Sequence, residues 1–217
     1  MENESAYKSL VKELQESTGD PAEVAAIYNK RTSYDEDMKL IAKYVGPEKL
    51  AKVVDDYVRN KDCRILDVGA GTGLVAEELR KVGFTGKFDA IEPSKQMANL
   101  AVRKSFYENC YIEFVTVDKP CSISTGFYDH VVSCGAIIPG HIKYQALTEM
   151  LRMCRTGGYV FACFGRDYLE TESFRGFDEF VENLQSDGKC QYEMIEIDEY
   201  KHMMAGCIVV LQKTTAP

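Results

Sequence analysis

The stretch Cys63-Arg64-Ile65-Leu66-Asp67-Val68-Gly69-Ala70-Gly71-Thr72-Gly73-Leu74-Val75-Ala76-Glu77 decides the fold. Ile65 to Val68 is a short apolar run of strand length. Three glycines follow, and glycine permits positive φ and lets backbone lie against a ligand. Leu74, Val75 and Leu79 then recur at helical spacing, with Glu77 and Glu78 on the outer side. Strand, glycine turn and helix together open a nucleotide-binding α/β unit.

The details of the turn select the ligand. A dinucleotide fingerprint is spaced G-x-G-x-x-G, whereas Gly69, Gly71 and Gly73 place the third glycine one residue early. Asp67 stands two residues before the first glycine, and a carboxylate beside a pyrophosphate would repel it. An acid suits a ligand with positive charge at this point, such as the ammonium and sulfonium of S-adenosylmethionine. Lys87 to Ile91 reads as a second strand, and Glu92 follows 19 residues after Gly73 (92 − 73). An acid at that interval meets ribose hydroxyls, both of which can donate to one carboxylate. The plain alternative is a glycine turn with no ligand.

Asp67 to Gly73 resembles motif I of class I S-adenosylmethionine-dependent methyltransferases (D-x-G-x-G-T-G), and Ile91-Glu92-Pro93-Ser94 resembles their second motif. Phe127-Tyr128-Asp129-His130-Val131-Val132 is similar to their motif IV strand. Leu151 to Tyr159 is similar to the segment before strand five, with Thr156 in place of the usual proline. Tyr34-Asp35-Glu36-Asp37, Gly71 to Leu79 and Gly135-Ala136 look like the methyltransferase-like proteins of the Williams–Beuren chromosomal region. The tryptophan common near the N-terminus of that group is absent.

The rest of the chain agrees with an α/β fold. Helical patterns at Gly73–Val82, Ser94–Lys104 and His141–Cys154 alternate with strands at 111–117, 128–134 and 159–164. Such alternation implies a parallel sheet covered on both faces. Residues 191–200 and 207–212 are strands joined by a link too short for a helical crossover, so they pair antiparallel. The expected fold is a Rossmann-like class I methyltransferase domain over 61–217. Its sheet is seven-stranded and mostly parallel, with an antiparallel C-terminal hairpin. Residues 1–60 form an extra helical segment covering the cofactor site. Within it, Leu10, Val11 and Leu14 share a helix face, Asp20-Pro21-Ala22-Glu23 is a helix start, and 35–44 and 47–58 are further helices.

The resemblance implies a set of site residues. Gly69, Ala70 and Gly71 lie against the methionine moiety of S-adenosylmethionine, and Asp67 orients its ammonium group. Glu92 holds the ribose. Pro93 and Met97 flank the adenine, with Val117 and Asp118 at its edge. Cys134 and Gly135 line the transfer site. Tyr28 and Tyr34, in a polar link, are candidates to close over the cofactor. His141 is the best-placed candidate base after strand four; Tyr168, Glu170 and His202 are others, while His130 sits within a strand.

Composition sets outer limits. The chain has 217 residues, 45% of them hydrophobic, which suits one domain with decorations. The formal charge of −8 without a Lys/Arg block counts against a nucleic-acid substrate. Eight cysteines without a C-x-x-C pair read as small buried hydrophobes of an intracellular chain, and no metal is expected. No apolar run reaches transmembrane length, so a cytoplasmic protein off the membrane is expected, as a monomer or weak homodimer. The leading expectation is a methyltransferase for a small-molecule acceptor. A protein or RNA methyltransferase, or an S-adenosylmethionine-binding protein without activity, are the alternatives, and a dinucleotide dehydrogenase is the weakest.

Overall fold

A computed structural model of the chain describes residues 2–214. The first strand, β1 (Ile65–Val68), is buried along its whole length, as expected of a strand covered on both faces. It pairs in parallel with β2 (Phe88–Ile91) and β4 (His130–Cys134). β3 (Tyr107–Tyr111) lies outside β2, and β5 (Tyr159–Gly165) lies beyond β4. The chain then reverses. β7 (Met204–Lys213) runs antiparallel to β5, and β6 (Cys190–Lys201) is antiparallel to β7 on the far edge. The seven-stranded order is β3-β2-β1-β4-β5-β7-β6. This is the mixed sheet and C-terminal hairpin expected from the spacing of the last two strands.

Each face of the sheet carries its own apolar core. On one face, helix α4 (Gly46–Tyr57) buries Leu50, Ala51 and Val54 against Val132, Phe161 and Val210. Helix α5 (Leu74–Lys81) adds Val75, Ala76 and Leu79 to the same cluster, the face its periodicity specifies. On the other face, α7 (Leu147–Met153) and α8 (Phe177–Ser186) pack Met150, Leu151, Phe177 and Val181 against Leu66, Val160 and Val209. Helix α6 (Lys95–Arg103) is capped by the Ser94 hydroxyl, which accepts from the Met97 N–H at 3.2 Å.

The N-terminal 60 residues divide in two. Helix α4 belongs to the sheet's core. Helices α1 (Glu2–Glu16) and α2 (Pro21–Tyr28), the single turn α3 (Tyr34–Glu36) and a π-helical turn over Asp37–Ile41 lie away from it. Asp20 caps α2 by accepting from Ala22 and Glu23, and Pro21 occupies the first turn. Glu23 reaches back to Thr18 rather than to the cap residue itself. The helix expected over 35–44 is instead the α3 turn continued as the π turn.

The largest departure from expectation is β3, expected over 111–117 and found at Tyr107–Tyr111. The alternation of Ile112, Phe114 and Val117 reads as a strand, but pairing with β2 is decided elsewhere. The buried Asp89 carboxylate of β2 accepts from the Asn109 backbone and side-chain N–H groups, both at 2.9 Å, and from the Tyr128 hydroxyl at 2.9 Å. These bonds hold Asn109 opposite Asp89. Residues 112–117 therefore run past the end of the sheet.

If α4 is part of the sheet's core, Leu50→Ala lowers stability by about 2–5 kcal/mol, since Leu50 is 0% exposed. Urea unfolding measures this, and a loss within 0.5 kcal/mol would detach α4 from the core.

Candidate functional site

The carboxyl ends of β1, β2 and β4 open into one largely apolar cavity of about 220 Å³. This is where an open α/β sheet binds ligands, at the point where the strand order reverses. The glycine turn after β1 supplies Gly69, Ala70 and Gly71 to its wall, and the turn after β2 supplies Glu92, Pro93 and Met97. The turn after β4 supplies Cys134, Gly135 and His141. Tyr28 and Tyr34 close it from the N-terminal side.

The glycine turn is open towards the cavity where a ligand's backbone contact is expected. Gly71 has φ +56°, and a Cβ built on it would meet nothing within 4 Å. Its N–H donates to Glu92 Oε2 at 2.8 Å, while the Ser94 N–H donates to Oε1 at 2.8 Å. Two of the carboxylate's roughly four acceptor positions are thus used, leaving acceptors for a diol. Burial raises the Glu92 pKa above the usual carboxylate value.

Asp67 is placed differently from the residues of the turn. It is 2% exposed and does not line the cavity. Its Oδ2 accepts from the Tyr107 hydroxyl at 2.6 Å, and its buried Oδ1 has no hydrogen-bond partner. Burial pushes its pKa up to about 7, offset in part by the Tyr107 bond and reinforced by the charge of Glu92. A buried acceptor without a donor is costly, so this atom calls for a donor or a cation.

His141 and Tyr28 form a pair across the cavity. His141 Nδ1 lies 3.2 Å from the Pro139 carbonyl oxygen, which can only accept, so Nδ1 carries the proton. Nε2 therefore accepts from the Tyr28 hydroxyl at 2.9 Å. Burial lowers the His141 pKa, which favours the neutral ring. The Tyr28 pKa is raised, chiefly by burial.

The N-terminal segment is latched over the cavity at two points. Asn29 Oδ1, just past α2, accepts from Ser94 Oγ at 2.9 Å and from the Gln96 N–H at 3.1 Å. Asp35 accepts from the Thr72 hydroxyl of the glycine turn and from Lys104 Nζ, the latter at 2.5 Å. Both contacts join the link 28–35 to the turns after β1 and β2 and to the end of α6, and neither is expected from the sequence. Their signal lay in that link, a polar stretch between two tyrosines.

Val117 and Asp118 are exposed and outside the cavity, Val117 at 52%. Because β3 ends at Tyr111, the residues that follow it into the cavity are Glu113, Phe114 and Val115. Among the other base candidates, Tyr168 lines the cavity, whereas Glu170 and His202 do not. His130 is buried within β4, where its Nδ1 accepts from the Tyr159 N–H and desolvation lowers its pKa to about 4. All eight cysteines are free. Among the described residues no group of three or more His, Cys, Asp or Glu side chains is arranged to hold a metal, and no helix is long and apolar enough to cross a membrane.

A family described as Methyltransferase domain matches residues 65–158, the span from β1 to the turn before β5. The glycine turn and the strands around it thus resemble a methyltransferase domain. Human methyltransferase-like protein 27 is 34% identical over 97 residues, which are 44% of this chain and 38% of that protein. An uncharacterized methyltransferase of Schizosaccharomyces pombe is 29% identical over 133 residues, 57% of this chain and 46% of the relative. The chain thus spans less than half the length of these curated relatives. The solved TehB-like S-adenosylmethionine-dependent methyltransferase of Corynebacterium glutamicum superposes with a TM-score of 0.60 at 17% identity, over 87% of this chain and 99% of that one. These similarities point to S-adenosylmethionine as the cofactor. The open backbone at Gly71, the spare acceptors of Glu92 and the orphan Oδ1 of Asp67 fit that group.

The raised Asp67 pKa makes a pH-dependent prediction. An acid with a raised pKa in the fold contributes stability below its unfolded value near 3.8, and that stability is lost as pH rises through about 7. Asp67→Asn removes this loss. Thermal unfolding without cofactor should show the variant gaining on the wild type between pH 4 and pH 8, by up to about 4 kcal/mol. A difference constant across that range would mean that Asp67 is already ionised in the fold.

Proposed function

We propose that the chain is an S-adenosylmethionine-dependent methyltransferase acting on a small-molecule acceptor. The observation that carries this is a single cavity walled by the cofactor-type turns after β1 and β2 on one side and by His141 on the other. The cover provided by Tyr28 and Tyr34 favours a small acceptor over a protein or RNA chain. When bound, the cofactor supplies a methyl group activated by its sulfonium.

The chain's residues have separable tasks. Glu92 accepts from the ribose hydroxyls, and Pro93 and Met97 flank the adenine. Gly69, Ala70 and Gly71 bring backbone close to the methionine moiety, whose ammonium group reaches the buried Asp67 through water. Cys134 and Gly135 border the place of transfer, where alignment of the reacting groups is the protein's main contribution. An acceptor that must lose a proton gives it to the Tyr28–His141 pair: Tyr28 oxygen takes the proton while its own passes to His141 Nε2. The division of the N-terminal segment follows: the elements up to residue 41 contribute the cover, while α4 (Gly46–Tyr57) belongs with 61–217 in the transferase unit.

Calorimetric titration with S-adenosylmethionine and S-adenosylhomocysteine, with NAD as control, tests the cofactor. Micromolar binding of the first two and none of NAD is expected. Gly71→Val should abolish binding in a folded protein, because it combines a strained φ with a side chain in the ligand's place. Unchanged affinity would remove the assignment. Once an acceptor with a titrating proton is found by screening, His141→Gln should lower kcat by roughly 10²-fold. Its affinity for S-adenosylhomocysteine should remain within about twofold. Equal loss of both would make His141 a cofactor-site residue instead.

A further inference from the structure

One wall of the cavity is built by the end of β6. Tyr200 and Lys201 line it, together with Tyr168 from the 3-10 turn after β5. Lys201 Nζ donates to the Tyr168 hydroxyl at 3.1 Å and stands 5.7 Å from the centre of that ring. No carboxylate among the described residues pairs with this ammonium. The carboxylates that share the cavity are otherwise engaged. Glu92 accepts the Gly71 and Ser94 N–H groups, and Glu113 accepts from the Ser122 N–H at 3.0 Å and from its hydroxyl. The contrast is Lys104, the latch cation, which is paired to Asp35 and lies 3.7 Å from Glu77.

An ammonium carries three donors, and the phenol uses one. Lining the cavity with no carboxylate paired to it, this ammonium has donors left for an anion. The strand order says which ligand would bring it. Glu92 ends β2 and Tyr168 follows β5, three strand positions apart through β1 and β4. At ~4.8 Å per strand that separation is on the order of 14 Å. Lys201 therefore serves the acceptor side of the cavity. The neighbouring surface is aromatic: Tyr44 and Tyr200 pack edge to face with centroids 5.2 Å apart, beside Gly135.

We infer that the acceptor is a small organic acid, whose carboxylate is held by Lys201 and Tyr168 and whose apolar or aromatic body lies on Tyr44 and Tyr200; this rests on the methyltransferase function proposed above. The same charge repels cationic amines, so Lys201 is a specificity-determining residue as well as a binding one. The acceptor's carboxylate serves as its handle, and the methyl-accepting atom lies towards Tyr28 and His141.

The test uses the full chain saturated with S-adenosylhomocysteine. Ligand-observed NMR titrations compare 4-hydroxybenzoate, 3-phenylpropionate and indole-3-acetate, each against its own carboxamide. At least one acid should bind about tenfold or more tightly than its amide, as a charge-assisted hydrogen bond provides. Lys201→Met should reduce the preference to within about twofold, and Lys201→Arg should retain most of it. Affinity for S-adenosylhomocysteine should change less than about twofold in both variants, which also reports that they fold. Acids binding no better than amides, or none of the six binding, overturns the inference while leaving the cofactor assignment intact. A tenfold loss of S-adenosylhomocysteine affinity in Lys201→Met overturns it differently, by assigning the ammonium to the cofactor's own carboxylate. Failure of the wild type to bind S-adenosylhomocysteine at all would instead sink the proposed function, and this inference with it.

Discussion

One carboxylate holds the site in shape. Glu92 stands at the end of β2 and accepts the N–H of Gly71 from the turn after β1 and the N–H of Ser94 from its own turn. Two loops that would otherwise move separately are thereby fixed to each other at the edge of the sheet. Both bonds run from backbone to a charged acceptor, the stronger class of hydrogen bond. Ser94 in turn caps α6 and donates to Asn29, so the same chain of contacts reaches the cover. The ligand-binding end of the domain is a short relay of hydrogen bonds resting on a buried anion.

Buried acids recur in neighbouring strands, one residue apart in register, with Asp89 opposite Leu66 and Asp67 opposite Ala90. Asp89 in β2 is well supplied with donors and sets the register of β3. Asp67 in β1 has a single donor and an orphan oxygen. The first is an architectural carboxylate, complete without any ligand. The second is incomplete, and its high pKa expresses that incompleteness. Side by side they distinguish a polar group that builds the sheet from one held ready beneath the cofactor turn.

Local signals carried much of this architecture. The apolar strand, glycine turn and helix around Gly71 were legible because their determinants lie within fifteen consecutive residues. The Asp20 and Ser94 caps were legible for the same reason, as the capping oxygen serves N–H groups two or three residues on. Tyr107–Tyr111 was not, because its place in the sheet depends on Asn109 meeting Asp89 across the chain, while Ile112, Phe114 and Val117 mimic a strand locally. Lys201 was invisible as a site residue for a related reason. Nothing near it in sequence shows that the hairpin end comes back over Tyr168. Asn29 and Asp35 fell between, in a segment whose composition suggested a cover but whose partners at Ser94, Gln96, Thr72 and Lys104 lie far along the chain.

The position of β7 has a consequence for how the molecule is made. Its residues 204–213 come last among the strands, yet β7 is interior, with β5 on one side and β6 on the other. A chain growing from its N-terminus can assemble the β1, β2 and β4 portion as soon as those segments emerge. β6, by contrast, has no sheet to join until its successor inserts between it and β5. Tyr200 and Lys201, at the end of β6, are therefore tied to the sheet only through β7, and β5 presents an unpaired edge until β7 is in place.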